Sequence, residues 1–303
     1  MPSLWKFGGL TPILLTQRAI RKIGEDELST RSAALSYYFI LALFPMLLFV
    51  VSLIGIFAGA NAELRESIFS TLGRLAPGSA SDLIHTVISQ TVRSSSALKL
   101  GAGIFGALWA ASAGVSAVVV SLNVVYQYTE TRPWWKQKLT VLGLTGSLAV
   151  LIIVAVVLVL YGGKIGSALA TYFGLGHWFT IAWATLQWPV LLAAMFLSFA
   201  MVYYFGPDAP PPAWHWVTPG AVLGVVLWLV ASFGLRVYLH FFNSYNATYG
   251  SLGTVIILLL WLYITGLAIL IGAELNAVIE AEDRHTALQA SAIRRVERRM
   301  KVA

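Results

Sequence analysis

Residues 150–160 read Val-Leu-Ile-Ile-Val-Ala-Val-Val-Leu-Val-Leu. These side chains offer nothing to water, and the uncharged stretch around them runs from Leu139 to Tyr161. A helix rising 1.5 Å per residue needs about 20 such residues to cross about 30 Å of hydrocarbon. Residues 139–161 therefore read as a membrane span. Five further stretches satisfy the same condition, at 33–58, 100–125, 178–205, 216–242 and 252–277. The fifth in order contains Arg236 and His240, and the sixth contains Glu274 near its end. The expected fold is all-α, an integral membrane bundle of six transmembrane helices.

Composition agrees with the pattern. Of 303 residues, 58% are hydrophobic and 11% are charged, and mean hydropathy is +0.78. Soluble globular chains carry about 25% charged residues. Thirteen acids and twenty bases are too few to cover a soluble body of this size. A soluble enzyme is excluded, and so is a disordered chain, which would be poor in aromatics and rich in charge. The absence of cysteine removes disulfides, thiolate metal sites and thiol nucleophiles together.

The distribution of bases suggests an orientation. Fourteen of the twenty lie in 1–32, in the loop holding Arg132, Lys136 and Lys138, or after the last span. The excess of Lys and Arg marks the cytoplasmic side, so both termini are expected inside. No cleavable leader is evident before the first span. Residues 1–32 form an amphipathic cytoplasmic segment in this reading, and 280–303 a basic cytoplasmic tail. Residues 61–95, between the first two spans, carry apolar residues at helical spacing on both sides of Pro77-Gly78, which predicts two amphipathic helices at the outer surface.

Within the spans, Gly106, Ala110 and Gly114 fall on one helix face, as do Gly220 and Gly224. Small residues four apart let a second backbone come close. Pro45 and Pro189 each remove a helix hydrogen bond. Trp134, Trp135 and Trp178 fall at span ends, where tryptophan anchors at headgroup level, whereas Trp109, Trp228 and Trp261 fall inside spans and are expected to pack.

No motif of hydrolytic, nucleotide-binding or zinc chemistry is present, and the five histidines are scattered. No metal and no cofactor is expected. The remaining signal is polar side chains at membrane depth, which normally face a cavity or a partner. With both termini inside, Arg31 and Tyr37 begin the first span, Asn123, Gln127, Glu130 and Arg132 close the second, and Glu274 and Asn276 end the sixth, all at one membrane face. The set forms either a substrate site or gate, or a charge network tying helix ends together. Glu274 is expected to pair with Arg31 or Arg132, or else to carry a proton. Arg236 lies toward the other end of its helix, either reaching headgroups or attracting an anion.

Three groups of residues carry a resemblance to a known family. They are Arg31 with Ala34-Leu35-Ser36-Tyr37-Tyr38 and Ala42-Leu43-Phe44-Pro45; Ala107-Leu108-Trp109, Gly114, Asn123, Tyr126, Glu130 and Arg132-Pro133; and Tyr249-Gly250-Ser251-Leu252-Gly253, Trp261-Leu262-Tyr263 and Gly272-Ala273-Glu274-Leu275-Asn276. In order and spacing they resemble the YihY/BrkB family of bacterial inner-membrane proteins over residues 20–280. The resemblance implies six spans, an inner-membrane location and movement of a lipid or other amphiphile. It also carries an old ribonuclease label. One departure is the loop 206–215, which lacks the bases that members often have there and holds only Asp208 and three prolines in a row.

The expected function is that of a transporter or flippase-like exporter of a lipid or other amphiphile, and not that of an enzyme. Two other classes stand beside it, a membrane-associated hydrolase and a structural partner of a membrane complex. Membrane lipids are the expected partners. No specific nucleic acid is expected, and self-association is left open.

Overall fold

The computed structural model describes residues 4–57, 97–209, 217–241 and 251–302. Seven long helices run through them: α1 Pro12–Glu25, α2 Leu28–Phe57, α3 Ala97–Val125, α4 Trp134–Phe173, α5 Gly176–Phe205, α6 Pro219–Phe241 and α7 Ser251–Val302. No strand occurs among the described residues. Six helices, α2 to α7, are long and apolar enough to cross a membrane. The amphipathic helices expected within 61–95 fall outside the described residues.

Helix limits extend beyond the apolar runs. Helix α2 begins at Leu28, so Arg31 lies in its first turns, and α7 continues past Ala277 to Val302. Both α2 and α5 continue through their prolines, Pro45 and Pro189. Large apolar side chains on α4, among them Val150, Ile152, Val154 and Val159, are exposed. In water that surface would be costly at about 25 cal/mol per Å². In a bilayer it is the face a span requires.

By their contacts the residues form two units. The first holds Met1–Ser36, Val118–Pro133 and Pro189–Ala303, and the second holds Tyr37–Ala117 and Trp134–Trp188. In the second unit, Gly114 of α3 lies against Ala42 and Phe39 of α2, where an added Cβ would stand 3.2 and 3.3 Å from their side chains. Among the described residues Gly101, Gly103 and Gly106 meet nothing within 4 Å, so the contact the stripe on α3 makes with them is at Gly114. In the same unit Lys138 Nζ lies 4.1 Å from the centre of the Trp109 ring and donates to Ser112 Oγ at 2.7 Å. Trp109 therefore serves as a cation–π platform for a half-buried lysine.

The first unit is organised on α6 and α7. Gly220, Gly224, Trp228 and Ser232 recur every fourth residue on α6 and meet one face of α7. A Cβ on Gly220 would collide with the Gly272 carbonyl, and one on Gly224 would stand 3.1 Å from the Ala268 carbonyl. Farther along, Trp228 Nε1 donates to Thr265 Oγ1 at 3.0 Å and Trp261 Nε1 to Ser232 Oγ at 3.2 Å. The two indoles meet edge to face at 5.9 Å. Glycine permits the close approach at one end, and paired indoles fill the wider gap at the other. On another face of α7, Gly266 receives Leu35 of α2.

Helix α1 follows a short helical turn, Leu4–Gly9. Thr11 caps it by accepting from Leu14 N, and Pro12 occupies the first turn, where a missing N–H costs nothing. Leu15 is buried against Val278 and Ile279 of α7, joined by Phe7, Leu10 and Leu275. Arg18 fixes the register through Glu282 at 2.6 Å. Ile13 and Ile20 remain exposed, a pattern suited to a helix lying at an interface.

Candidate functional site

A cavity of about 550 Å³ opens in the first unit between α1, the end of α3 and α7. Helix α1 supplies Arg18, Arg21 and Lys22, and α7 supplies Glu274, Glu282 and Arg284. Leu14, Val125, Ala277 and Val278 give it an apolar portion. Two tight turns lie in this unit, the first of them at the cavity itself. Gln127, just past α3, has φ of 58°, and Glu27, between α1 and α2, has φ of 51°. The left-handed region is uncommon for residues other than glycine. At Glu27 it allows the chain to turn from α1 into α2, and Arg31 Nε donates to the Asp26 carbonyl at 2.8 Å to hold that turn.

Most of the charges around the cavity already have partners. Arg18 holds Glu282, and Lys22 and Arg21 both reach Glu25, at 3.1 and 3.4 Å. Arg284 donates to the Tyr128 hydroxyl at 2.7 Å. Glu274 differs. It is 1% exposed, and its Oε2 meets no donor among the described residues. The same holds for Asp26 Oδ2. No ion pair among the described residues joins Glu274 to Arg31 or Arg132, so the pairing expected from the sequence is replaced. Asp26, a second carboxyl, lies beside Glu274, with Lys22 and Glu25 also acting on it.

Arg132 belongs to a different constellation in the same unit. Its Nε and Nη2 bind the two oxygens of Glu130 at 2.7 and 2.8 Å, and Nη2 also reaches the Gly206 carbonyl at 3.0 Å. Asp208 lies 3.6 Å from Nε and accepts at 2.6 Å from both the N–H and the hydroxyl of Thr131. Asn123 joins the two loops, donating to Glu130 at 2.9 Å and accepting from Asp208 N at 2.7 Å. The hydrogen bonds from Arg132 hold Glu130 below the usual carboxylate range, with help from Asn123. Those from Thr131 do the same for Asp208. Arg132 is correspondingly raised by its bonds to Glu130. Every member is satisfied, and the arrangement ties the α3–α4 loop to the end of α5.

Asn276 serves a third purpose. Its Oδ1 accepts from Gly220 N at 2.9 Å and its Nδ2 donates to Thr218 Oγ1 at 2.9 Å. Thr218 in turn accepts from Ala221 N. Together they satisfy the first free N–H groups of α6 in a place where water does not reach.

The polar residues grouped at one membrane face by the sequence therefore separate. Glu274 and Gln127 line the cavity, Arg31 braces the turn between α1 and α2, Asn123, Glu130 and Arg132 lock two loops, and Asn276 caps a helix. Tyr37 belongs to the second unit, where it is exposed and meets Tyr38 edge to face at 5.6 Å. Arg236 is exposed on α6, far along the helix from the Gly220 end. Sequence reasoning missed Asp26 and Asp208. The signal for Asp26 was present, because the run Glu25-Asp26-Glu27 interrupts an otherwise basic segment.

Six apolar spans, exposed aliphatic faces and backbone-close helix packing define a polytopic α-helical membrane protein. Residues 19–294 match the family described as Virulence factor BrkB, and the chain belongs to that family. Among its relatives is a ribonuclease-like protein of Bacillus subtilis (strain 168), YfkH, 33% identical over 84% of this chain and 90% of the relative. A UPF0761 membrane protein of Aeromonas salmonicida is 26% identical over 84% of each chain. Another, from Ralstonia nicotianae, is 28% identical over 88% of this chain but only 58% of its own length. No solved structure matches the chain.

Proposed function

We propose that this protein moves a lipid or other amphiphile across the bacterial inner membrane, with both termini in the cytoplasm. The observation that carries the reading is the composition of the cavity wall. Charged heads from α1 and α7 stand beside Leu14, Val125, Ala277 and Val278, so one space offers ionic contacts and an apolar surface together. An amphiphile needs both at once. Its place on a spanning helix, beneath an interfacial one, sets that space within reach of headgroups.

The test is reconstitution into liposomes holding a fluorescent phospholipid that a membrane-impermeant reductant bleaches from the outer leaflet only. Bleaching of the inner-leaflet share is expected with the protein, and slower bleaching with Ala281→Trp, which places an indole at the cavity wall and narrows it. Bleaching equal to that of empty liposomes would reject the reading. Incubation of the same preparation with RNA addresses the hydrolase reading suggested by the Bacillus relative's name; intact RNA is expected. For orientation, single cysteines at Ser81 and Ser291 are clean probes in a chain that has none. A membrane-impermeant thiol reagent applied to intact cells should label the first and spare the second; equal labelling would reject the topology, and labelling of the second alone would reverse it.

A further inference from the structure

We propose that Asp26 and Glu274 form a proton-binding site, one proton being shared between their carboxyl groups beside the cavity that Glu274 lines. Asp26 comes from the turn after α1 and Glu274 from the middle of α7. Each has an oxygen shut off from solvent with no donor among the described residues. Two facing carboxylates in such surroundings repel each other and lack hydration, so removing both charges from water would be costly. One added proton changes this. A carboxylic acid then donates to a carboxylate, supplying both orphan oxygens with a partner, in a short charge-assisted bond.

The neighbours do not supply an alternative. Lys22 acts on Glu274 from α1 but is engaged with Glu25, which itself adds negative charge to the site. Arg31 of α2 is turned to the Asp26 backbone carbonyl. Just past α3, Tyr126 is buried beside Asn276 and Glu280, and on α7 Glu282 is held by Arg18. Glu274 lines the cavity, so the proton has a route to water. Loss of the proton places two negative charges face to face and pushes the α1 turn away from α7. The site stands whether or not the cavity admits an amphiphile.

Infrared spectroscopy of the protein in lipid at neutral pH tests this without a transport assay. The spectrum of the protein minus that of Glu274→Gln should contain the C=O stretch of a protonated carboxyl, shifted in D2O. The same band should be lost in Asp26→Asn and kept in Glu282→Gln. Carboxyl-¹³C labelling of aspartate and of glutamate in the unmutated protein gives the reading without any variant, and a shared proton requires the band to respond to both labels. A difference spectrum showing only ionised carboxylate would overturn the proposal. So would a melting temperature that rises saturably with sodium but not with choline while both groups stay ionised, an outcome that identifies a metal cation instead.

Discussion

Gly272→Leu leaves almost no folded protein, and Gly272→Ala alone lowers the melting temperature sharply, while Gly143→Ala leaves it unchanged or raises it: these are the expected results of placing the same methyl group at two helical glycines. At Gly272 the new Cβ would run into the Gly220 carbonyl and the Tyr203 hydroxyl, with Gly224 Cα at 3.2 Å. The obstacle is largely backbone, which has no rotamer to give way. Overpacking a fitted core costs about 1–3 kcal/mol where side chains can adjust, so about 3 kcal/mol or more is expected here. Tyr203 also donates to the Ile269 carbonyl at 2.8 Å, a bond that displacement would break. Gly143 meets nothing within 4 Å. There alanine gains up to about 1 kcal/mol of helix propensity. Size-exclusion profiles and melting curves of the detergent-extracted proteins provide the measurement, and equal melting temperatures for the two alanine variants would refute the close contact.

The second large effect concerns Arg132→Gln. The substitution leaves Glu130 and Asp208 as facing acids, with side chains 24% and 15% exposed, and without a cation. Breaking a fully buried pair costs about 3–5 kcal/mol, and partial exposure brings the expectation down to about 2 kcal/mol. Its pH dependence has a defined sign. Both acids are held below their ordinary range in the folded protein. Their contribution is therefore complete above the unfolded carboxylate value of about 4 and is lost as pH falls through the lower folded values. The melting-temperature gap between the protein and Arg132→Gln should be widest near neutrality and close as acid is added. A gap independent of pH would show that the arginine acts by packing alone.

Hydrophobic run length gave the helices, because crossing a bilayer is a local, one-dimensional requirement. Amphipathic spacing likewise pointed to α1, and Gly220 with Gly224 pointed to a close helix contact. What local spacing could not supply is which helix face meets which neighbour. The glycines of α3 illustrate this: Gly106 and Gly114 share a face in the sequence, but among the described residues Gly114 is covered and Gly106 is not. The polar residues show it more strongly. Glu274, Asn276, Asn123 and Arg132 lie at similar depth in the pattern, and depth alone grouped them. Their partners come from distant parts of the chain, Asp26 for Glu274, Thr218 for Asn276 and Asp208 for Asn123. Arg132 takes Glu130, two residues away, a pairing that helical spacing would not favour because the segment is a loop. Charge complementarity also misled, since it matched Glu274 with an arginine and the fold presents it with another acid.

Helix α7 runs unbroken from Ser251 to Val302. At 1.5 Å per residue, such a rod is about 78 Å long, well over twice the hydrocarbon thickness. Glu274 lies near its middle, where α1 is clipped on, and the last turns carry Arg294, Arg295, Arg298, Arg299 and Lys301. A rod of that length magnifies at its tip any change of tilt at the level of Glu274. A tilt of about 10° there sweeps the far tip by about 7 Å over the remaining 28 residues, read at the same rise per residue. A dye or spin label near Val302 magnifies movements that are too small to see at the cavity itself.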